Sequence, residues 1–356
     1  MAYRHSVRAA GIAVAAVIPI ALSACSSSSS TSSSSSASSS SAGASSSSSS
    51  AGSSSASSST GAGKNYNLEL VVGTKSDDFY ITMECGAQAE AKALGVNLTV
   101  TGPADFSAPE QAPILNAVAA SKPDALIVAP TDTSALNPEL SRISGEGVKI
   151  VFVDTTTSDP SIAVSHITSD NTGGGKLAAD SLAAQIGDKG TVAVINVNPG
   201  ISTTDARIAG FTAEMKAKYP NITVLATQYD NDSSATAASQ VEADISAHPN
   251  LSGVFATNVL SAQGAATGIQ HAGAAGKVKV ATFDAEPQQI TALKSNTIQL
   301  AIAQSPYLEG QDGVEQAVDA LSGKPVTANI GTPLVAITQS NVNSPSVQKN
   351  IYVASC

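Results

Sequence analysis

The stretch that decides the fold is Ile150 to Lys176, IVFVDTTTSDPSIAVSHITSDNTGGGK. Its apolar run from Ile150 to Val153 predicts a fully buried strand, which stops at Asp154. A helical pattern opens at Lys176, after three glycines that follow the segment Ser169 to Asn171. Open α/β sheets bind ligands beyond the carboxyl ends of their strands. The stretch therefore predicts a strand end at a ligand site, followed by a crossover between two lobes and the start of a helix.

The rest of the folded chain, from Tyr66 onward, alternates predicted strands with predicted helices on both sides of this stretch. The second array contains a predicted strand from Ile222 to Tyr229. No strand is predicted between the helix that ends at Leu321 and a last strand that begins at Pro333. The βαβα rhythm predicts an α/β fold with two doubly wound parallel-sheet lobes.

The N-terminal region differs in composition from the folded part. Residues 1–24 combine early positive charges, an apolar core and small residues before Cys25, which predicts a secretory signal peptide. Leu22 to Cys25 resembles the bacterial lipobox, whose cysteine becomes the lipidated N-terminus. Residues 25–65 are dominated by serine and predict a lipid-anchored, disordered linker. An ordinary signal peptide with a chance cysteine, and a glycosylated stalk, are the alternatives.

Charge and cysteine content narrow the function further. The formal net charge is −10, no basic run occurs and tryptophan is absent, which argues against a nucleic-acid partner. If Cys25 carries lipid, Cys85 and Cys356 remain, and an even number of cysteines in an exported chain favours a disulfide. We predict that this bond fastens the C-terminal tail, residues 341–356, to the first lobe. The alternative is a buried thiol at Cys85 and a frayed chain end.

Polar or aromatic side chains directly follow most predicted strands. Hydroxyl groups of a ligand pair with fixed donors and acceptors, while its C–H face packs on an aromatic ring. Such a ring of side chains at the strand ends therefore suits a polyhydroxylated molecule. The alternative is that these residues serve only as turn residues, helix caps or core. The predicted ligand-binding residues are Lys75, Asp77, Phe79, Tyr80, Asp154, Arg207, Asn258, Asp284 and Gln304.

Signatures of enzymes and cofactor sites are absent from the sequence. The run Gly173 to Lys176 is not a P-loop, because Asp170 stands in place of its first glycine and Leu177 in place of its Ser or Thr. No G-x-S-x-G motif occurs, and the histidines lack metal-ligand spacing. The sequence therefore predicts no catalytic residues, no cofactor and no metal.

Several motifs in chain order resemble one known family. Ser165 to Asn171 with Gly174, Gly175 and Lys176 resembles the first hinge crossing of the type I periplasmic binding proteins of ABC transporters, in the ribose-binding-protein-like branch. The other matches are Val71 to Thr74 with Phe79 and Tyr80, Val153-Asp154, Arg207 with Gly210-Phe211, Val254 to Asn258, Phe283-Asp284 and Ala303-Gln304. The resemblance covers roughly Asn67 to Ile337. Thr155 stands where family members often have arginine. A linear sugar alcohol is therefore as plausible a ligand as a cyclic sugar.

The resemblance implies a function and an architecture. It implies a monomeric solute-binding protein, anchored outside the cell membrane, that binds a sugar or sugar alcohol between two lobes and delivers it to an ABC transporter permease. A ligand-sensing module for a chemoreceptor or signalling partner is the alternative. The implied hinge has three crossings, near Ser169-Asp170, Gln304-Ser305 and Thr332 to Leu334. The implied lobes are residues 66–169 plus 305–332, and residues 170–304 plus 333–340.

Overall fold

The computed structural model describes residues 65–356. The predicted signal peptide, Cys25 and nearly all of the serine-rich linker lie outside the described residues. In chain order, the strands are β1 (Asn67–Val71), β2 (Asn97–Thr101), β3 (Ala125–Val128), β4 (Lys149–Val153), β5 (Ser165–Ser169), β6 (Gly190–Asn196), β7 (Ile222–Val224), β8 (Gln228–Tyr229), β9 (Leu251–Ala256), β10 (Lys279–Phe283), β11 (Leu300–Ala303), β12 (Asn329–Thr332) and β13 (Val335–Ile337).

The helices frame these strands on both faces. They are α1 (Asp78–Leu94), α2 (Ala108–Ser121), α3 (Asn137–Gly145), α4 (Asn171–Ile186), α5 (Ser202–Lys218), α6 (Ser234–Ala247), α7 (Val259–His271), α8 (Pro287–Lys294), α9 (Pro306–Ser322) and α10 (Pro345–Gln348). A 3₁₀ turn spans Pro160–Ile162. Within residues 65–356, no helix is both long enough and apolar enough to cross a membrane.

Two sheets organise the chain. The first has the order β12-β5-β4-β3-β1-β2, and every neighbouring pair in it is parallel. The second has the order β13-β11-β10-β9-β6-β7, with β8 also paired to β6, and only β13 runs antiparallel to its neighbour. We call each sheet with its packed helices a lobe. The predicted fold class, two doubly wound parallel sheets, is confirmed.

The start of α4 differs from the prediction, because the helix begins at Asn171 and includes the three glycines. Asp170 caps it by accepting a hydrogen bond from the Gly173 amide at 2.9 Å. The glycines have a packing role. A Cβ on Gly175 would lie 2.1 Å from the carbonyl oxygen of Arg207 on α5. Glycine therefore allows the backbones of α4 and α5 to come into direct contact. The gain from this close packing outweighs the low helix propensity of glycine.

Two strand predictions in the second half of the chain are wrong. The predicted strand Ile222 to Tyr229 is two strands, β7 and β8. Both pair with β6, but between the paired positions β6 advances three residues (Val192 to Ile195) while its partner advances four (Val224 to Gln228). The extra residue interrupts the ladder, as in a β-bulge. Strand β12 was missed because its sequence NIGT is short, contains glycine and lacks an apolar run.

The chain passes between the sheets three times, and one buried carboxylate contacts all three passages. Ser169 ends β5, Thr332 ends β12, and Glu309 lies one turn into α9, just after the passage from β11. The Ser169 and Thr332 hydroxyls donate to Glu309 Oε1 at 3.1 and 2.9 Å. Glu309 is fully buried. Burial, followed by the nearby carboxylate of Asp154, raises its pKa well above the usual range.

The C-terminal tail packs into the molecule. Val342, Val347 and Tyr352 are buried in a core that also includes residues of both lobes. A disulfide joins Cys85 on α1 to Cys356, 271 residues apart. The tail is therefore bonded to the first lobe at its end and packs into a core that residues of both lobes form.

Removing this disulfide should lower thermal stability. In the chain-entropy model, closing so long a loop stabilises the fold by on the order of 5 kcal/mol. The double variant Cys85→Ser/Cys356→Ser should therefore melt roughly 5–10 °C below the wild type. Reductant should lower the melting temperature of the wild type and leave that of the double variant unchanged. Two freely reactive thiols at these positions in the exported protein would contradict the pairing.

The protonation of Glu309 should appear in the pH dependence of stability. Its folded-state pKa lies above that of the unfolded chain, so its ionisation weakens the folded state as pH rises. Glu309→Gln cannot ionise, and its melting temperature should improve relative to the wild type as the pH rises above about 5. Glu315→Gln, on the exposed face of α9, is the control and should show no such trend. If both variants differ from the wild type in melting temperature by the same amount at every pH, the interpretation of Glu309 as a buried carboxyl group with a raised pKa is refuted.

Candidate functional site

A cavity lies between the two lobes, where the carboxyl ends of both sheets meet. Its empty volume, counted out to the open mouth and including solvent space there, is about 440 Å³. The lining residues are Thr74, Asp77, Phe79, Tyr80, Phe106, Asp154, Val197, Ile201, Thr203, Thr204, Arg207, Asp232, Asn258, Asp284 and Gln304.

The cavity contains eight of the nine predicted ligand-binding residues. The exception is Lys75, which the structure does not bring to the cavity. It is exposed and does not line the cavity. Its backbone amide donates to the carbonyl of Pro103, in the loop after β2. Because the chain turns outward between Thr74 and Asp77, proximity to the strand end did not place the Lys75 side chain in the site.

Asp154 is the main polar group contributed by the first sheet. It directly follows β4 and has a φ of 56°, in the left-handed region that few side chains adopt. The Tyr80 hydroxyl donates to its Oδ2 atom at 2.6 Å. Burial raises the pKa of Asp154 to about 6, although Tyr80 and Arg207 both favour its charged form. The strained backbone holds a buried carboxylate at the cavity wall.

Asp284 occupies the matching position at the end of β10 in the second sheet. Its φ is 75°, again in the left-handed region. The Gln304 side-chain amide and the Tyr352 hydroxyl both donate to its Oδ1 atom, at 2.8 and 3.0 Å. Burial raises its pKa, while Arg207 and the two hydrogen bonds act in the opposite direction. The two lobes thus present equivalent aspartates to one cavity.

Arg207 is the only cationic residue in the cavity wall, and it is buried. Its Nε donates to the Asn171 side chain at 2.8 Å, and its Nη1 donates to the Thr257 carbonyl at 2.7 Å. The guanidinium carbon lies 4.0 Å from the centre of the Phe283 ring. These contacts fix the plane of the guanidinium group. Among the described residues nothing accepts a hydrogen bond from Nη2, so this donor is available to a ligand.

Asp77 and Asn258 each cap a helix and also line the cavity. Asp77 Oδ1 accepts from the Phe79 amide at 2.7 Å, and burial raises the Asp77 pKa well above its usual value. Asn258 Oδ1 accepts from the Ser261 amide, and its Nδ2 donates to Asp232 at 3.0 Å. Each of these residues therefore both caps a helix and lines the cavity, so the two interpretations do not exclude each other.

Three aromatic rings, together with Val197 and Ile201, form the apolar part of the wall. Phe79 and Tyr80 meet edge to face with ring centres 5.0 Å apart, and Tyr80 stacks on Phe106 at 6.3 Å. Phe106 was missed, because it lies in the loop after β2 rather than directly at a strand end. The wall residues that were not predicted are Thr74, Phe106, Val197, Ile201, Thr203, Thr204 and Asp232. A search of every loop at the carboxyl edge would have included them.

The charge and hydrogen-bonding capacity of the wall favour a neutral ligand rich in hydroxyl groups. The wall carries four carboxyl groups and one guanidinium group, which disfavours an anion. The buried atoms Gln304 Oε1 and Thr204 Oγ1 have no hydrogen-bond partner within the described chain. A ligand hydroxyl would remove the cost of leaving them unpaired. Residues 65–356 contain no cluster of three His, Cys, Asp or Glu side chains arranged to hold a metal ion.

Comparison with known proteins identifies relatives of the chain. A family model described as a periplasmic binding protein domain matches residues 68–325. The ribose import binding protein of Salmonella typhimurium is 32% identical over 262 residues, covering 73% of this chain and 86% of that protein. The ribose import binding protein of Bacillus subtilis is 28% identical over 276 residues, covering 78% of this chain and 88% of that protein.

Solved structures agree with the sequence relatives. An ABC transporter solute-binding protein from Agrobacterium vitis, bound with α-D-tagatopyranose, is 44% identical with a TM-score of 0.79, covering 81% of this chain and 99% of that chain. A carbohydrate transporter solute-binding protein from Agrobacterium radiobacter, in complex with D-arabinose, is 30% identical with a TM-score of 0.77 and the same coverage of both chains. The chain therefore belongs to the type I periplasmic binding protein family.

Proposed function

We propose that this protein is the solute-binding component of an ABC importer, which binds a neutral sugar or sugar alcohol between its lobes and delivers it to a membrane permease. The observation that carries the proposal is the single cavity walled by Asp154 from one sheet and Asp284 from the other. A ligand that pairs with both carboxylates must contact both lobes. The relatives named above are ribose import binding proteins or are bound to D-tagatose or D-arabinose. These ligands are neutral and rich in hydroxyl groups, as the proposed ligand is.

The proposed binding roles follow from the partners of each side chain. Asp154 and Asp284 accept hydrogen bonds from ligand hydroxyls through the oxygens that their tyrosine partners leave open. Arg207 donates from Nη2, and Gln304 accepts at Oε1. Phe79 and the other wall aromatics pack against the C–H face of the ligand. Asn258 and Asp77 complete the wall.

The proposed mechanism is closure of the two lobes about the three passages between the sheets. Ligand contacts with both walls stabilise the closed arrangement relative to an open one, and the permease would recognise the closed form. Binding and closure perform the work, and no covalent bond changes. The ligand class to test first comprises pentoses, hexoses and their reduced alcohols.

We also propose that the protein is exported and held at the outer face of the membrane by lipid on Cys25. Support comes from the lipobox-like segment Leu22 to Cys25 and from the serine-rich tract behind it. The tract that contains only Ser, Ala, Gly and Thr, residues 26–63, has 38 residues, and a flexible coil of that length spans roughly 35 Å root-mean-square. That reach lets a tethered domain meet a permease in the same membrane.

Sugar binding should be detectable first as stabilisation and then as affinity. A sugar that binds only the folded state must raise its melting temperature. Against the sugar that does so, Asp154→Ala and Asp284→Ala should each lose about 1–3 kcal/mol of binding free energy, because a desolvated hydroxyl loses its partner. That is roughly a 5- to 150-fold rise in the dissociation constant measured by calorimetry.

The matched control for these variants is Glu315→Ala, a carboxylate deletion on the exposed face of α9. Its affinity should equal that of the wild type. Asp154→Asn and Asp284→Asn keep the shape of each side chain and separate loss of charge from loss of packing. Equal affinity in all of these variants would show that the sugar does not bind between the lobes.

The anchor predicts a change in cell fractionation. Cys25→Ser removes the only acceptor for lipid in the lipobox-like segment, so the protein should move from the membrane fraction to the soluble fraction. Cys85→Ser/Cys356→Ser is the control, because it removes two cysteines outside that segment and should stay with the membrane. A Cys25→Ser protein that remains membrane-bound would disprove lipid anchoring at this residue.

A further inference from the structure

The C-terminal tail reaches the back of the sugar cavity. The family model ends at residue 325, whereas the tail contacts continue to Cys356. Tyr352 is 2% exposed, yet it is not among the cavity-lining residues. It therefore lies directly behind the wall, where it touches binding residues without being open to the cavity.

The contacts of Tyr352 join it to both walls. Its hydroxyl donates to Asp284 Oδ1 at 3.0 Å and accepts from the Gln304 backbone amide at 3.0 Å. Its ring meets Phe79 of the first lobe edge to face, with centres 5.7 Å apart. One tail side chain thus contacts three of the residues proposed to bind sugar.

The position of the tyrosine is itself fixed by neighbouring tail contacts. The Tyr352 amide donates to the Ala285 carbonyl at 3.1 Å, in the second lobe. The next amide, of Val353, donates to the Thr82 hydroxyl at 2.8 Å, on α1 of the first lobe. The disulfide from Cys85 to Cys356 follows three residues later. The ring is therefore held on both sides by backbone hydrogen bonds and by a covalent bond.

We propose that Tyr352 is a positioning residue for the sugar site, which holds the Asp284 carboxylate so that its second oxygen faces the ligand. This role rests on the proposed sugar-binding function. Both side-chain donors to Asp284, Tyr352 and Gln304, reach the same atom, Oδ1. The Val259 backbone amide also hydrogen-bonds this carboxyl group. Neither side-chain donor occupies Oδ2, so this oxygen keeps acceptor capacity for a ligand hydroxyl. The hydrogen bond from the Gln304 backbone amide to the Tyr352 hydroxyl also fixes the backbone of Gln304, whose side chain lines the cavity.

The charged groups around Asp284 and the hydrogen bond from the Tyr352 hydroxyl together determine the pKa of this carboxyl group. Arg207 faces this carboxyl group and lowers its pKa, while burial raises it. The negative charge of Asp284 in turn raises the pKa of the neighbouring acids Asp77, Asp154 and Glu286. The Tyr352 hydrogen bond favours the ionised acceptor in this acidic setting. Its loss should therefore change both affinity and the pH dependence of stability.

The first test measures sugar affinity in Tyr352→Phe, which removes the hydroxyl and keeps the ring against Phe79. The dissociation constant at about pH 7.5 should rise roughly tenfold. Tyr66→Phe is the matched control. It removes a phenolic hydroxyl that donates to the Leu321 carbonyl at 3.1 Å, in the first lobe, and should leave affinity unchanged.

The second test uses the ligand-free protein and a readout that packing alone would not alter. Without the hydroxyl, the pKa of Asp284 rises further, and the folded state then loses more stability when the carboxyl group ionises. The melting temperature of Tyr352→Phe should fall further below the wild type at about pH 8 than at about pH 4.5. Tyr66→Phe should lose the same amount at both pH values, because its acceptor is a carbonyl.

The outcomes separate this role from the proposed function. If the wild type binds a sugar and Tyr352→Phe binds it equally well, with a pH-independent loss of stability, the positioning role is refuted and the proposed function stands. If the wild type binds none of the sugars or sugar alcohols, the proposed function fails and the positioning role fails with it.

Discussion

The arrangement of the molecule depends on the buried carboxyl group of Glu309, which joins the three passages between the sheets. Its Oε1 atom receives the hydroxyls of Ser169 and Thr332, each at the end of a strand that leads into the other lobe. Removal of an ionisable group from water is costly unless it is neutral or well paired, and the raised pKa of Glu309 reflects that cost. The passages are thereby held side by side, and the carboxyl edges of both sheets face one cavity.

The two walls of that cavity share the same arrangement of an aspartate and a tyrosine. Each sheet ends a buried strand in an aspartate with left-handed backbone, Asp154 in one lobe and Asp284 in the other. Each aspartate accepts a hydrogen bond from a buried tyrosine, Tyr80 or Tyr352. Strained backbone of this kind persists where the surrounding structure determines it and is common at binding sites. The first tyrosine comes from helix α1, while the second comes from the tail, beyond the part of the chain that the family model covers.

The sequence predicts the fold class and most of the cavity because both depend on local patterns. Apolar runs that stop at a carboxylate predict the buried strands and the positions of Asp154 and Asp284. Lys75 does not line the cavity, because a strand end does not fix the direction of each following side chain. The start of α4 was misplaced because the benefit of glycine at Gly175 lies in its contact with Arg207, 32 positions along the chain. Tyr352 could not be found from local patterns, since its partners are 48 and 68 residues away.

The central claim is that a sugar binds both lobes at once, and a crystal structure of the protein with a stabilising sugar tests it most directly. The account predicts sugar oxygens within hydrogen-bond distance of Asp154 on one side and of Arg207 and Asp284 on the other. It also predicts that Tyr352 remains bonded to Asp284 behind the ligand. A sugar bound to one lobe alone, or outside the cavity, would contradict the account.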